Sequence, residues 1–316
     1  NDQKFNPDII NFYSIKSSNK ICDLNISDFN SADCKYTTLK RSELVKFLKT
    51  DLENLIQTNH SISKVEQQNQ KIQLTFENNE TSECDYLIIS DGVFSKSKSL
   101  ILKNQIAPRY NKTIAIRGTL PCSQKIDCRN ISLFLGPDFH YVIYPVNQNR
   151  DLNFIAIMKY KLNKEEQKNH SLFNDGNFIK RVLNNVPIEM REFLDEIKKL
   201  KIFPVFVSDS FSQTKNKNMH LIGDAFFAFP PSFAQGASQS IESAYELFLS
   251  IENNTESNFL RNRVNKTRMV NNRSKFNQFV FHLSNPLTNF LRNIFLKRLV
   301  KNKKFLENYL GKIYKN

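Results

Sequence analysis

Residues 219–247 read MHLIGDAFFAFPPSFAQGASQSIESAYEL. The run 219–222 is short and apolar, as a buried strand is, and it stops at Gly223-Asp224. A carboxylate in that position sits at the carboxyl edge of a sheet, where open α/β sheets bind ligands. A Phe/Pro-rich loop follows, and Gln235-Gly236-Ala237 then open a helix expected to run to about Ile251. Small residues there let a ligand approach the backbone, and first-turn N–H groups together with the helix dipole favour negative charge. The residues alone describe a ligand site with a carboxylate for hydroxyls and a helix N-terminus for an anion.

Upstream, the chain alternates in character. Two short strands, IINFYSI and KICDLNI, are joined by a turn at Ser17-Ser18-Asn19. A helix is expected from about Lys40 to Gln57, with Leu44, Val45, Leu48, Leu52 and Leu55 at helical spacing. KIQLTF (71–76) and CDYLIIS (84–90) read as strands, the second ending at Asp91-Gly92. The β-type runs TIAIRGTL, ISLFLG, HYVIYPV and LNFIAIMKY mark 113–159 without helices between them, so an antiparallel sheet is expected. Residues 161–200 are polar and helical, and KIFPVFV is a further strand. Parallel-type pieces around an inserted antiparallel sheet make an α/β plus α+β protein.

The 316 residues are enough for about two domains and a substantial core. Gly occurs only 7 times, which excludes collagen-like, propeller and Gly-rich repeat architectures. The net charge of +14 is unevenly placed: 261–316 carry 14 Lys/Arg against Glu307 alone, so the remaining 260 residues balance to +1. Such a tail can meet phosphates of nucleic acid or of lipid headgroups, but no recognisable nucleic-acid module accompanies it. The five cysteines are odd in number, widely spaced and without a CxxC pair, so neither a disulfide framework nor a zinc site is expected, and a reducing cytoplasm fits. No apolar run is long enough to span a bilayer.

GDAFFAFPPSFAQGASQSIESA resembles the second flavin motif of the FAD-dependent aromatic hydroxylases, in the salicylate-hydroxylase and ubiquinone-biosynthesis branch. Three further stretches are similar to family motifs in the same order: LKRSELVKFL (39–48), DYLIISDGVFSKSK (85–98) and LGPDFHYVIYPV (135–146). FHLSNP (281–286) resembles the C-terminal pattern. Phe227 stands where the family has His, Ser243 where it has Asp and Lys98 where it has Arg. No GxGxxG follows a strand, and Asn1 aligns downstream of that unit, so the flavin-binding segment that carries it is expected to be missing from this sequence. The resemblance implies an incomplete FAD-binding Rossmann-like domain with an inserted antiparallel-sheet substrate domain and a C-terminal helical tail. Its expected boundaries are 1–36 (junction strands), 37–112 and 209–258 (FAD-binding), 113–208 (substrate) and 259–316 (basic tail).

It also implies roles, carried over residue by residue. Asp224 accepts hydrogen bonds from the ribityl chain, Pro231 is a further cofactor-binding residue, and the N–H groups around Gln235, Gly236, Ala237 and Ser238 face the flavin pyrimidine edge. Arg41 contacts the FAD phosphates and Asp91 lies near the pyrophosphate. NADH or NADPH reduces the flavin, O2 supplies the oxygen, and no protein nucleophile is needed. Phe226, Phe227 and Phe229, with His140 and Tyr144 from a strand whose alternation sends Tyr141 to the other face, are expected around a small aromatic or prenylated aromatic substrate, such as a quinone-biosynthesis precursor. The Phe- and Leu-bearing tail 261–316 is read either as an amphipathic helix closing the core or as a contact with an anionic membrane surface, the protein then being cytoplasmic and peripheral on the inner face. Two alternatives stay open: another flavin oxidoreductase of this fold, such as a prenyl-chain reductase, and a non-catalytic peripheral membrane protein on a degenerate flavin fold. Oligomeric state leaves no signal in the sequence.

Overall fold

Strands rich in Ile, Phe and Tyr between Arg109 and Lys159 pair with one another because each hides one row of side chains from water. The structure, a computed structural model, describes residues 2–102, 107–123, 126–211, 214 and 216–314, so the tail's expected last residues, 315 and 316, lie outside the described residues. The chain divides into two units. Asn1–Thr50, Lys112–Val205 and Gln278–Asn316 make the first, and Asp51–Asn111 and Phe206–Asn277 the second. Arg41 and its helix therefore group with the large sheet and not with 51–111.

The first unit is built on a seven-stranded sheet in the order Lys198–Val207, Arg109–Leu120, Leu152–Lys159, Phe139–Pro145, Ile131–Gly136, Ile9–Ser14, Lys20–Asn25. The sheet is larger than the four expected runs, and it is not wholly antiparallel: Ile131–Gly136 and Ile9–Ser14 run parallel. On one face, Tyr13, Phe134, Tyr141 and Phe154 form a ladder of rings with successive centroids 4.8, 4.4 and 5.8 Å apart. Glu189, from the helix Ile188–Leu194, lies close enough to Tyr141 to raise its pKa further, though burial is the larger cause. The opposite face carries Phe12, Leu133, Leu135, Val142 and Tyr144, against which Leu296, Val300, Leu306 and Leu310 of the tail pack.

The second unit holds a three-stranded sheet of Ile62–Gln68, Lys71–Phe76 and Thr81–Cys84, and a two-stranded parallel sheet of Leu87–Ile89 with Met219–Leu221. Gly236–Glu252 and most of Glu256–Phe281 are its long helices. Ile72, Leu87, Ile89, Met219, Leu221, Ala225, Phe226 and Phe227 make its core.

Three expectations need correction. The helix expected to reach Gln57 stops at Lys49, because Asp51 takes a left-handed φ of +65° that no helix continues through. Its apolar positions are bare: Val45, Leu48, Leu52 and Leu55 are all exposed. The strand expected over 84–90 splits, Thr81–Cys84 joining a hairpin and only Leu87–Ile89 pairing with Met219–Leu221. Cys122 and Cys128 are joined in a disulfide, the chain folding back until their Cα atoms are 5.8 Å apart. Six-residue spacing needs no CxxC pattern to close, and the bond removes the cysteine argument for a reducing compartment.

Candidate functional site

In the second unit the two parallel strands end side by side. Ile89 pairs with Leu221, and the Ile222 N–H donates to the Ile89 carbonyl at 3.0 Å. The turns carrying Asp91 and Asp224 therefore leave the same carboxyl edge. Gly92 takes φ +88° and Gly223 φ +56°, both left-handed. At Gly223 a Cβ would meet Ser240 Oγ at 2.9 Å, so the close approach of this turn to the helix also requires glycine. Asp224 is exposed in the single helical turn Gly223–Phe226. The Asp91 carboxylate accepts from the Ser97 N–H at 3.1 Å, which fastens its turn to the helix Lys96–Ile101.

Pro231 opens a short turn, Ala234 follows at φ +53°, and Gln235 leads into the helix Gly236–Glu252 with no side chain capping it. Gly236, Ala237 and Ser238 are exposed, and a Cβ built on Gly236 would find nothing within 4 Å. First-turn N–H groups have no intrahelical acceptor, so this end presents open donors at the positive pole of a 17-residue helix. The turn is held from behind by a buried network. Arg263, 1% exposed, donates to Glu246 at 2.9 Å and to Gln239 at 2.5 Å, and lies 3.4 Å from Glu242. Gln239 Nε2 reaches Glu242 at 2.8 Å and the Gln235 side-chain oxygen at 3.4 Å. Glu242 also pairs with Lys266 at 3.2 Å. Burial raises the Glu246 pKa, while Arg263 works against that shift.

Phe226 and Phe227, expected beside a substrate, are instead core residues. The helical turn at Gly223 rolls them inward, where both rings pack on Phe211 with centroids 5.5 and 4.6 Å away. Phe229 is half-buried against the same cluster. Paired hydrogen bonds hold this loop, Ser208 N–H to the Ala228 carbonyl at 2.8 Å and Ala228 N–H to Ser208 Oγ at 3.0 Å.

In the first unit, sheet register places Tyr144 opposite Asn153, and Arg117 opposite Ile155, on one face. Arg117 is exposed, yet desolvation lowers its pKa, with Tyr144 opposing that shift and Arg41 adding to it. Protein atoms thus crowd a side chain that water still reaches. Its guanidinium lies 5.7 Å from the centre of the Phe203 ring. Among the described residues no carboxylate pairs with it. Arg41, the first residue of the helix Arg41–Lys49, is the exposed neighbour that adds positive charge. Arg117 was open to sequence reading, since a charge inside the apolar run TIAIRGTL must face a ligand, a partner or water.

His140 occupies a different place from the one expected. It is 3% exposed, its Nδ1 lies 2.7 Å from His282 Nε2, and the Phe281 ring meets it edge-on. Burial is the main cause that lowers both imidazoles, His282 to about 4 and His140 well below the ordinary 6.5. Asp138 raises and Lys159 lowers His282 more weakly. The unfolded chain takes protons near 6.5 while the folded pair refuses them, so stability is complete above that pH and is lost as pH falls from 6.5 toward 4. The loss approaches about 1.4 kcal/mol per pH unit for each imidazole. Urea midpoints should fall steadily between neutral pH and pH about 5, and His282→Gln should flatten that slope; an unchanged slope would show that the pair does not carry it.

The FAD binding domain family matches residues 18–255. The FAD-dependent monooxygenase pigN of Monascus ruber is 26% identical over 195 residues, 55% of this chain and 43% of that protein. A salicylate hydroxylase of Pseudomonas putida is 25% identical over 224 residues, 62% of this chain and 49% of that enzyme. The chain thus spans about half the length of the curated relatives it matches. The structure of Klebsiella pneumoniae HpxO with FAD and uric acid superposes with a TM-score of 0.83 at 13% identity, covering 98% of this chain and 81% of that one, which shows a shared fold. With three quarters of its length matched, the chain belongs to the FAD binding domain family.

Proposed function

We propose that this protein serves an FAD-dependent monooxygenase reaction, hydroxylating an electron-rich aromatic ring that carries an acidic group, with NADH or NADPH and O2. The ring is that of a quinone-biosynthesis precursor, and the protein works peripherally at the inner face of a membrane through 261–316. The observation that carries the reading is the uncapped helix end at Gly236, Ala237 and Ser238, exposed beside Asp224. The bound flavin supplies hydride acceptance and oxygen transfer. The chain's own part is to hold it: the first-turn N–H groups stabilise charge at its pyrimidine edge, and Asp224 accepts from its side-chain hydroxyls. Arg117 pairs with the acidic group of the ring, a role supported by the relative named for salicylate, itself an aromatic acid.

Ala237→Asp tests the cradle. An added carboxylate in the first turn strengthens the helix by about 0.3–1 kcal/mol, so the variant should melt no lower than the parent. It should also bind FAD at least tenfold more weakly in a fluorescence titration, because the new charge stands where the flavin's negative edge must come. Equal affinity in the two proteins would sink the assignment. Labelled O2 then separates hydroxylation from reduction: one labelled atom must appear on the ring.

A further inference from the structure

The helix Pro286–Leu299 is apolar on two opposite sides. One side is spent on the core, where Leu296 and, just beyond the helix, Val300 pack under the sheet. The other is bare: Leu287, Phe290, Leu291 and Phe295 are 67%, 62%, 43% and 58% exposed. Their spacing of three, four and eight residues from Leu287 lines them up along one stripe. Isolated exposed apolar residues need no explanation, but four aligned Leu and Phe side chains on one helix do. Immediately after the stripe come Lys297, Arg298, Lys301, Lys303 and Lys304, all exposed, against Glu307 alone among the acids of the described tail from Gln278 on.

We propose that this stripe is the surface by which the protein lies on an anionic lipid bilayer, Leu287, Phe290, Leu291 and Phe295 entering the acyl boundary and the cations engaging headgroup phosphates. The chemistry of the surface selects this occupant. An interfacial helix couples an apolar face to flanking Lys and Arg whose long stems let the charges reach the headgroups while the helix sinks. A second copy of the chain is disfavoured by the same charges, since a two-fold contact through the stripe would set the basic cluster against its own image. No helix among the described residues is long and apolar enough to cross a membrane, so the contact is planar. This contact deepens the proposed peripheral association and stands whether or not the protein hydroxylates a ring.

The test uses the full chain and vesicles of phosphatidylcholine with or without phosphatidylglycerol. The protein should sediment with the anionic vesicles and stay in solution with the neutral ones, and added salt should weaken the binding. Combined Leu287→Ser, Phe290→Ser and Phe295→Ser should cut partitioning at least tenfold while leaving circular dichroism and FAD affinity unchanged, because those side chains are exposed. Combined Lys297→Glu, Arg298→Glu and Lys301→Glu should do the same by charge. Failure of the parent to bind anionic vesicles, or undiminished binding by either variant, overturns the proposal. So does a dimer in light scattering that the serine variant dissociates, which would assign the stripe to a second copy. Because FAD affinity is read separately, loss of the membrane contact and loss of the flavin reading are distinguishable.

Discussion

Arg263→Met should destabilise the protein by about 3–5 kcal/mol, read as a shift of the urea midpoint. The reason lies in what the substitution leaves behind. Methionine fills much of the volume, but Glu242 and Glu246 keep their places on the helix Gly236–Glu252, and the cation that joined both of them is gone. Lys266 still reaches Glu242, while Glu246 loses the ion pair that it made with Arg263. Removing one member of a buried charged cluster costs far more than the cluster is worth as a whole. The damage should not be confined to stability. Gln239 stands between Arg263 and Gln235, so freeing Gln239 loosens the N-cap residue of the helix that presents Gly236, Ala237 and Ser238. Gln239→Leu, which spares the ion pairs, should weaken FAD binding with a smaller loss of stability. Arg263→Met with a midpoint within about 1 kcal/mol of the parent would show that the network is incidental.

Arg117→Leu should act in the opposite sense on the two properties. Its guanidinium is partly desolvated, which lowers its pKa, and no carboxylate among the described residues pairs with it, so it adds little to stability. Leucine should leave stability unchanged or raise it. Binding of an aromatic acid should fall by about 2–5 kcal/mol, roughly 30-fold or more, because a carboxylate on the ring would lose its paired guanidinium. Titration with salicylate, alongside the corresponding uncharged phenol, reads the difference. If both ligands weaken equally, Arg117 does not pair with an acid. A protein selected for stability alone would not keep such a residue, which is the sense in which a functional site departs from local consistency.

How much of this was legible in the sequence follows the range of the forces involved. The loop from Gly223 to Ser238 was readable because its signals are local: a strand end, glycine where φ is positive, small residues at a helix start. The start of the helix Pro286–Leu299 is equally local, Asn285 capping the Leu287 N–H. Phe226 and Phe227 were misplaced because loop residues have no fixed alternation, and only the turn geometry at Gly223 decides which way they roll. Arg263 was hidden in a run of basic residues that reads as a solvated face. Its partners Glu242 and Glu246 lie on another helix, and no spacing rule links positions about 20 residues apart across a turn. The leucines of Arg41–Lys49 and beyond carry a helical period, yet period tells which side is apolar, not whether anything covers it.

Neither unit is a continuous length of chain. The sheet unit is assembled from three segments and its neighbour from two, so the backbone passes from one to the other at 50, 111, 205 and 277. During synthesis the strand Ile9–Ser14 must wait for Ile131–Gly136, more than a hundred residues later, before it has its parallel partner. Leu87–Ile89 waits as long for Met219–Leu221. Pairings of such sequence separation fold slowly and leave apolar segments uncovered on the ribosome, where holding chaperones act. A single cut in a surface loop would not release either unit as a free domain, and production of one unit without the other would require joining its separate segments through new linkers.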